Sequence, residues 1–585
     1  MPRIQSFIIH LLWLFAVSMT AQEQTFHPKL NISFDKNNNS TSTYDEIMDF
    51  YKKLEKLSDL VHITKTGMTD SGHPLTVVVL AKKGHFTPEK SRKAGKSILF
   101  INNGIHPGEP DGIDASMIFA RDIISSSDAA RILDNTTIVI IPVYNIGGCL
   151  NRSSTSRANQ LGPDAYGFRA NAKNLDLNRD FIKCDSKNAE SFNQIFNYWN
   201  PDLMVDTHTS NGADYQYTMT LIATQKDKLH PMLSKELTNN ILPELYQNMK
   251  HKGWEMTPFV NTRGLPETGI YGFMDGPRYS SGYAALHHTI SFMPETHMLK
   301  PYKDRVWSTH AFIHLCGQYM TKHGAKLASI RKNVKNAVKT QSTFPLSYVI
   351  DQTQVDSMLF KGYTASYKNS EVSGLQRLYY DKSKPWEKKI PYFNTFSPNI
   401  SVQKPMAYLI PQAYDRIVYL MRLNGVNVQV LGSDTTMHIE QYRIENFETS
   451  KTAYEGHYNH SQTQVSVQKL AKKFYKGDYI IYVNQESNRY IVESLEPQGV
   501  DSWFNWNFFD GILAQKEYFS DYVFEDLAAE MLTKNPELRT KLLEKQKSDS
   551  KFASDARSQL EFVYKNSPYY EPTHMMYPVC RLLEK

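Results

Sequence analysis

The sequence predicts an α/β fold, in which a mixed, mostly parallel central sheet with helices on both faces is followed by a smaller, β-rich α+β accessory region. Two observations lead to this prediction. Over residues 41–325, short and continuously apolar runs alternate with helical segments, as expected of strands buried on both faces. From residue 340 to 585, short segments with strand-like alternation dominate.

The elements of the first part can be placed in order. A helix is predicted to begin after an N-cap at Ser42 or Thr43, because Ile47, Phe50 and Leu54 share one face of it. The predicted strands are VHITKTG, LTVVVLA, SILFINNG, TTIVIIPVYN, DLMVDTH and HHTISFMPE. In the accessory region one clear helix is predicted over 412–424, ending at Gly425.

The N-terminus is typical of a secretory signal peptide over residues 1–21. Arg3 precedes a mostly apolar stretch, and small residues up to Ala21 form the expected cleavage site. The apolar stretch is shorter than the ~20 residues that a bilayer span needs. We therefore expect a periplasmic or secreted protein with no stable membrane span. A loose polar leader is expected over 22–40, between the signal peptide and the first predicted helix.

Composition excludes some classes. The formal net charge of +6 over 585 residues comes with no basic run, so a nucleic-acid partner is not expected. Four widely spread cysteines without a CxxC pair indicate neither a disulfide framework nor a thiolate zinc site. The oligomeric state and any disulfide pairing stay open.

Three side chains with metal-binding chemistry follow predicted strands. His106 and Glu109 lie in the loop after SILFINNG, and His208 follows DLMVD. Strand ends of open α/β sheets are where ligands bind. Two imidazoles and one carboxylate leave zinc a free fourth position, as in catalytic sites, although manganese or cobalt would also suit these donors.

Further polar residues follow the same pattern. Arg169, Asn178 and Arg179 lie between the two ligand segments, and arginine forks bind carboxylates or a developing oxyanion. Glu295 follows a buried apolar run and is a candidate general base. The alternative for Glu295 is a surface ion pair with a nearby cation, such as Lys300.

Together these motifs resemble the zinc carboxypeptidase family of the carboxypeptidase A type (peptidase family M14) over residues 41–325. The resemblance implies that His106, Glu109 and His208 bind one zinc ion per chain and that Glu295 is the general base. It implies the zinc carboxypeptidase fold for this part of the chain.

The resemblance also implies roles for the remaining motif residues. Arg169 would polarise the scissile carbonyl, and Asn178 with Arg179 would hold the free C-terminal carboxylate of a peptide. Asp176 would orient the imidazole of His106.

The sequence departs from the family pattern in two places. Gly108 stands where the family often has an arginine, so one substrate contact is in doubt. The family's carboxylate-capping tyrosine has two candidate counterparts, Tyr279 and Tyr283. Arg278 lies near the specificity position and would favour an acidic side chain, unless it pairs with Asp275.

The sequence thus predicts a secreted, zinc-dependent metallocarboxypeptidase that removes one C-terminal residue from peptides, with cell-wall and nutrient peptides both possible substrates. Two alternatives stay open: a zinc amidohydrolase that deacylates N-acyl amino acids, and a catalytically inactive peptide-binding relative.

Overall fold

The computed structural model describes residues 30–583. The predicted signal peptide and residues 22–29 of the leader lie outside the described residues. The rest of the leader is not loose, because Leu30, Ile32 and Phe34 are buried, and Phe34 opens a short helix α1 (Phe34–Asn37). Within residues 30–583, no helix combines the length and apolarity that a bilayer crossing requires.

The first part of the chain forms a nine-stranded sheet. Its strands are β1 (Val61–Thr66), β2 (Leu75–Leu80), β3 (Ser97–Asn102), β4 (Thr136–Ile141), β5 (Leu203–Asp206), β6 (His208–Ser210), β7 (Met219–Ala223), β8 (Met256–Pro258) and β10 (Ile290–His297). The short strand β9 (Ile270–Tyr271) belongs to another sheet. The order is β1-β2-β4-β3-β5-β10-β7-β8, with β6 beside β10. The pairs β3–β4, β3–β5, β5–β10, β6–β10 and β7–β8 are parallel. The predicted mixed, mostly parallel sheet is confirmed.

Helices accompany this sheet. They are α2 (Tyr44–Leu57), α3 (Pro88–Lys93), α4 (Asp111–Ser125), α5 (Ser127–Ala130), α6 (Ile146–Leu150), α7 (Lys187–Trp199), α8 (Pro231–Glu236), α9 (Leu242–His251), α10 (Ser280–Leu286) and α11 (Tyr302–Thr340). The predicted start of α2 is confirmed, because Thr43 and Glu46 form a reciprocal capping box. Helix α11 passes residue 325, the predicted end of this part, without a break and ends at Thr340.

The accessory region is mixed α and β. Its strands are β11 (Thr343–Ile350), β12 (Asp356–Asn369), β13 (Gln376–Phe393), β14 (Phe396–Gln403), β15 (Ala407–Ile410), β16 (Gln429–Val430), β17 (Thr435–Thr449), β18 (His460–Phe474), β19 (Tyr479–Tyr482) and β20 (Met576–Leu582). Its helices are α12 (Asp415–Leu423), α13 (Asn488–Leu495), α14 (Asp521–Lys534), α15 (Pro536–Ser548), α16 (Ser550–Ala553) and α17 (Ala556–Lys565). Helix α12 confirms the predicted helix before Gly425. Six strands form one sheet in the order β16-β19-β15-β20-β17-β18.

The two parts of the chain share one hydrophobic core. Buried side chains of the accessory region, such as Tyr408 and Trp503, belong to the same cluster as Phe100 of β3. Trp503 also donates its indole N–H to the backbone oxygen of Ile182 (3.2 Å). The helices α14–α17 enclose a separate small cluster, and two further small clusters form around Leu409 of β15 and around Phe360 of β12.

Strand register brings the polar strand ends to one edge of the sheet. Asn102 pairs with Asp206 across β3 and β5, and His208 pairs with Glu295 across β6 and β10. The strand β10 continues two residues past Glu295, which therefore lies within the strand rather than at its end. The loops after β3 and β5 meet at this edge.

Candidate metal and substrate site

Three donor side chains converge at the strand ends. His106 and Glu109 lie in the loop between β3 and α4, and His208 opens β6. Ligand atoms of these three buried residues all lie within 4.8 Å of one another. No other group of three or more such residues with this spacing occurs in the part of the chain that the structure describes.

Carboxylates orient both imidazoles. Nε2 of His106 lies 2.8 Å from Oδ1 of Asp176, and Nε2 of His208 lies 3.0 Å from Oδ2 of Asp206. Each Nδ1 atom therefore faces the cluster, and Nδ1 of His106 is buried without a hydrogen-bond partner. A carboxylate behind a histidine fixes its tautomer and raises its basicity as a metal ligand. Asp176 thus lies where the resemblance implied.

Arg157, which no motif in the sequence indicates, contacts the same cluster. Its Nη1 lies 2.5 Å from Oε1 of Glu109, and its Nη2 donates to the backbone oxygen of Thr209 (3.0 Å). Burial alone would raise the pKa of Glu109, but Arg157 and the two histidines hold it well below its usual range. Glu109 is therefore ionised, as a metal ligand must be.

The absence of a side chain at Gly108 leaves the space that Arg157 occupies. A Cβ atom at Gly108 would lie 3.0 Å from Cδ of Arg157 and 3.1 Å from the backbone oxygen of Gly167. The small residue admits an arginine that comes from a loop 48 residues beyond Glu109. The departure at Gly108 consequently leaves the site with a guanidinium group, supplied from elsewhere.

Glu295 faces the cluster across the β6–β10 pair. Burial, with the nearby charge of Glu109, raises its pKa to about 7, although His208 and Arg169 oppose the shift. Lys300, the cation that the sequence indicates as a surface partner of Glu295, binds Asp214 instead (3.0 Å). Glu295 is thus a carboxyl group able to gain and lose a proton near neutrality.

Arg169 lies beside the cluster, where it contacts both Asp176 and Glu109. Its Nη2 lies 2.8 Å from Oδ2 of Asp176, and its Nη1 lies 3.5 Å from Oε1 of Glu109. Burial opposes ionisation of Asp176, but His106 and the guanidinium groups of Arg169 and Arg179 hold the pKa of its carboxyl far below the usual range. Because 45% of the Arg169 side chain is exposed, its guanidinium can also reach a bound molecule.

Asn178 and Arg179 lie beside the cluster in a short turn. The backbone N–H of Asn178 donates to Asp176 (2.9 Å), and its Oδ1 accepts from the backbone N–H of Ser280 (3.1 Å). The Arg179 guanidinium carbon lies 4.5 Å from the ring centre of Tyr279. Both residues are held in place by the protein. Among the described residues the Nδ2 group of Asn178 has no acceptor, so its N–H donors remain available to a bound molecule.

The structure separates the two tyrosine candidates. Tyr283 is fully buried and donates its hydroxyl to Asn424 (2.6 Å), so it cannot cap a substrate. Tyr279 stays at the site through its stacking on Arg179. Arg278 does not pair with Asp275 as the sequence alternative had it; Asp275 binds Lys228 (2.6 Å), and Arg278 binds the buried Asp501 (2.7 Å).

The cluster fits a divalent cation. Two nitrogens and one carboxylate are a zinc donor set, and one of the nitrogens, Nδ1 of His106, is orphaned. Burial opposes charge on His208, but Asp206, Glu109 and Glu295 raise its pKa well above the usual value, which reflects the three carboxylates around this imidazole. The same carboxylates would attract a divalent ion.

Comparison with known proteins shows what this chain is similar to. The sequence model of the zinc carboxypeptidase family matches residues 47–215. Carboxypeptidase 2 of Trichophyton rubrum is 20% identical over 498 residues, covering 79% of this chain and 84% of that protein.

Two solved structures are similar over about half of the chain. A metallo-carboxypeptidase from Pseudomonas aeruginosa is 15% identical, with a TM-score of 0.35, over 48% of this chain and 69% of that one. Carboxypeptidase A from Helicoverpa armigera is 15% identical, with a TM-score of 0.37, over 52% of this chain and 78% of that one.

The matched segment holds His106, Glu109 and His208 but ends before Glu295. The resemblance drawn from the motifs is confirmed by this match, as is the expectation of a metallocarboxypeptidase-type enzyme at the level of family. Residues 47–215 are thus similar to the zinc carboxypeptidase family, within a chain of 585 residues.

Proposed function

We propose that the protein is a zinc-dependent metallocarboxypeptidase that removes a single residue from the C-terminus of peptides. The observation that carries the proposal is the convergence of His106, Glu109 and His208 beside Glu295 and three arginines. We further propose that residues 1–21 direct export, so that the enzyme acts in the periplasm or outside the cell. Peptides of the cell wall are one substrate class that this location would offer.

The metal would be held by Nδ1 of His106, Nδ1 of His208 and the carboxylate of Glu109. When bound, zinc polarises a carbonyl oxygen and lowers the pKa of a water molecule to ~7. The carboxylates of Asp176 and Asp206 keep both imidazoles turned towards the metal. Arg157 keeps Glu109 ionised whether or not a cation is present.

Proton transfer falls to Glu295. Its carboxylate would accept a proton from the attacking water and then donate it to the leaving amine, which a group with a pKa near neutrality can do in both directions. Arg169, through its exposed guanidinium, would donate hydrogen bonds to the negative charge that develops on the scissile oxygen.

Recognition of the chain end falls to Asn178 and Arg179. Among the described residues Nη2 of Arg179 has no hydrogen-bond partner and would donate to a carboxylate, and Asn178 adds amide donors. A site that binds the terminal carboxylate beside the reacting carbonyl restricts cleavage to the last peptide bond. The enzyme would thus be an exopeptidase.

The proposal can be tested with peptides that differ only in the final residue, such as Glu, Lys and Phe. Wild type should release that residue, and a chelator should abolish the release until zinc is restored. N-acyl amino acids serve as the control substrates, because a deacylase would prefer them. Faster hydrolysis of N-acyl amino acids than of every peptide would refute the carboxypeptidase assignment.

We also propose a division into a catalytic part, which ends with α11, and an accessory region that starts at β11.

A further inference from the structure

A turn of the accessory region reaches the site. The long strands β17 and β18 are joined by a segment that contains a tight turn over residues 454–457, here called the 454–457 turn. Backbone hydrogen bonds link Tyr454 and His457 in both directions (2.7 and 3.0 Å). The turn packs against the chain segment that carries Asp176, Asn178 and Arg179.

Tyr454 binds the arginine that would hold the substrate carboxylate. Nε of Arg179 donates to the Tyr454 hydroxyl oxygen (2.8 Å), and Nη1 donates to the backbone oxygen of Asn178 (2.9 Å). Within residues 30–583, Nη2 of Arg179 has no hydrogen-bond partner. Because the hydroxyl oxygen accepts from Arg179, the phenolic proton remains available to a further acceptor.

The position of the phenol is fixed from several sides. The ring of Tyr454 stacks on Trp506 at 6.2 Å between centroids and 21° between planes. The guanidinium carbon of Arg278 lies 5.6 Å from the Tyr454 ring centre and 4.9 Å from that of Trp506. Arg278 is in turn bound to Asp501. The tyrosine is therefore held in place before any substrate binds.

Residues next to Tyr454 bind the rest of the turn to the first part of the chain. The carboxylate of Glu455 accepts from the backbone N–H of Asp176 (2.7 Å), and His457 Nε2 lies 2.7 Å from Oδ2 of Asp185. Glu455 has a φ of 50°, in the left-handed region that non-glycine residues seldom adopt. These contacts keep the turn in one conformation, although its chain segment is 275 residues away from Arg179.

We propose that Tyr454 is a specificity-determining residue that belongs to the accessory region. Its hydroxyl donates a hydrogen bond to the C-terminal carboxylate that Arg179 holds, and so selects peptides with a free carboxylate over peptides with a neutral end. The inference rests on the proposed function, since it takes the carboxylate subsite at Asn178 and Arg179 as given. It assigns the accessory region a part in substrate binding.

The test compares the full-length variant Tyr454→Phe with wild type, both loaded with zinc. Phenylalanine keeps the stacking on Trp506 and removes only the hydroxyl. The matched control is Tyr458→Phe, which removes a hydroxyl from the same loop at a residue that is 55% exposed. The probes are an N-hippuryl dipeptide with a free C-terminal carboxylate and the same dipeptide with a C-terminal amide.

Loss of one hydrogen bond to a charged group predicts a rise in KM of about 10- to 100-fold for the carboxylate substrate. We expect kcat to stay within about twofold, the preference for carboxylate over amide to fall by the same factor as KM rises, and Tyr458→Phe to behave as wild type. An unchanged KM in Tyr454→Phe, or equal effects of the two variants, would overturn the inference.

A second measurement separates this inference from the proposed function. Calorimetric titration of the uncleaved dipeptide into the Glu295→Gln background, with and without Tyr454→Phe, reads binding alone. If wild type releases no C-terminal residue, the proposed function fails, and this titration still decides the role of Tyr454. Equal affinities in the two backgrounds would overturn it.

Discussion

Glu295 is the residue on which the proposed chemistry depends most. Gln at this position keeps the size of the side chain but cannot accept a proton, so we expect kcat to fall by about 10²- to 10⁴-fold. Zinc content, measured by mass spectrometry, should equal that of wild type, because Glu295 is not among the three metal donors. The exposed carboxylate of Glu486, changed to Gln, is the control and should leave kcat unaltered. A Glu295→Gln enzyme with wild-type kcat would remove the general base from the account.

Arg157 is predicted to stabilise the metal-free protein. Its side chain and that of Glu109 are 15% and 3% exposed, and breaking a buried pair leaves an uncompensated charge that costs about 3–5 kcal/mol. Arg157→Met should therefore lower the free energy of unfolding by about that amount without zinc, and zinc should restore much of it, because the cation takes over the neutralisation of Glu109.

The control for Arg157 lies nearby in sequence. Arg152 donates to backbone oxygens, including those of Thr41 and Ala165. Arg152→Met should lose the same stability with and without zinc, as measured by urea denaturation. A loss in Arg157→Met that zinc does not reduce would contradict the role given to this arginine.

The sequence could predict the metal donors but not everything around them. His106, Glu109 and His208 follow apolar strand runs, so spacing and chemistry point to them. Arg157 and Tyr454 come from irregular segments without a motif, and their approach to the site depends on how distant loops pack. Gly108 is the one feature of the sequence that points to Arg157, because a missing side chain leaves room for another residue.

Among the elements, α4 and α11 are joined by a buried carboxyl group. The Tyr302 hydroxyl at the start of α11 donates to Asp114 of α4 (2.5 Å). Burial raises the pKa of Asp114 to about 7 despite the hydrogen bonds it accepts. The folded state thus binds this proton more tightly than the unfolded state, and the stability it contributes is lost as pH rises from about 4 through 7.

Asp114→Asn should flatten this dependence, because the amide has no proton to release while its oxygen still accepts from Tyr302. Between pH 5 and pH 8 we expect wild type to lose about 2–3 kcal/mol more stability than the variant, measured by urea denaturation. Parallel losses in the two proteins would show that Asp114 does not titrate in this range.

Elements with strong local signals were predictable, such as α2 with its capping residues and α12 before Gly425. The leader was predicted to be loose because its composition is polar. That prediction is wrong for residues 30–40, because the apolar side chains of Leu30, Ile32 and Phe34 pack into the core. Tertiary burial of this kind cannot be deduced from local composition.

At the scale of the whole molecule, the helices α14–α17 form a unit with its own small core. The chain leaves and re-enters the main fold at nearly the same point, because the Met575 N–H donates to the Ile512 oxygen (2.8 Å). Replacing residues 514–574 by a short Gly-Ser linker should therefore preserve folding and peptidase activity, with the melting temperature within a few degrees of wild type.

Truncation after Thr340 should have the opposite effect. It removes Tyr408 and Trp503 from the shared core and exposes the apolar surface that they cover. We expect that fragment to lack a cooperative melting transition in circular dichroism. A stably folded fragment of residues 30–340 would contradict the description of one continuous core.

We propose above that the His106–Glu109–His208 cluster binds a metal that is used to trim peptide C-termini. Mass spectrometry of a defined peptide, incubated with the enzyme before and after chelation and again after zinc is restored, tests it most directly. We expect a product shorter by one C-terminal residue, which is absent after chelation and regained with zinc. Internal cleavage, or trimming that persists in the chelated protein, would contradict it.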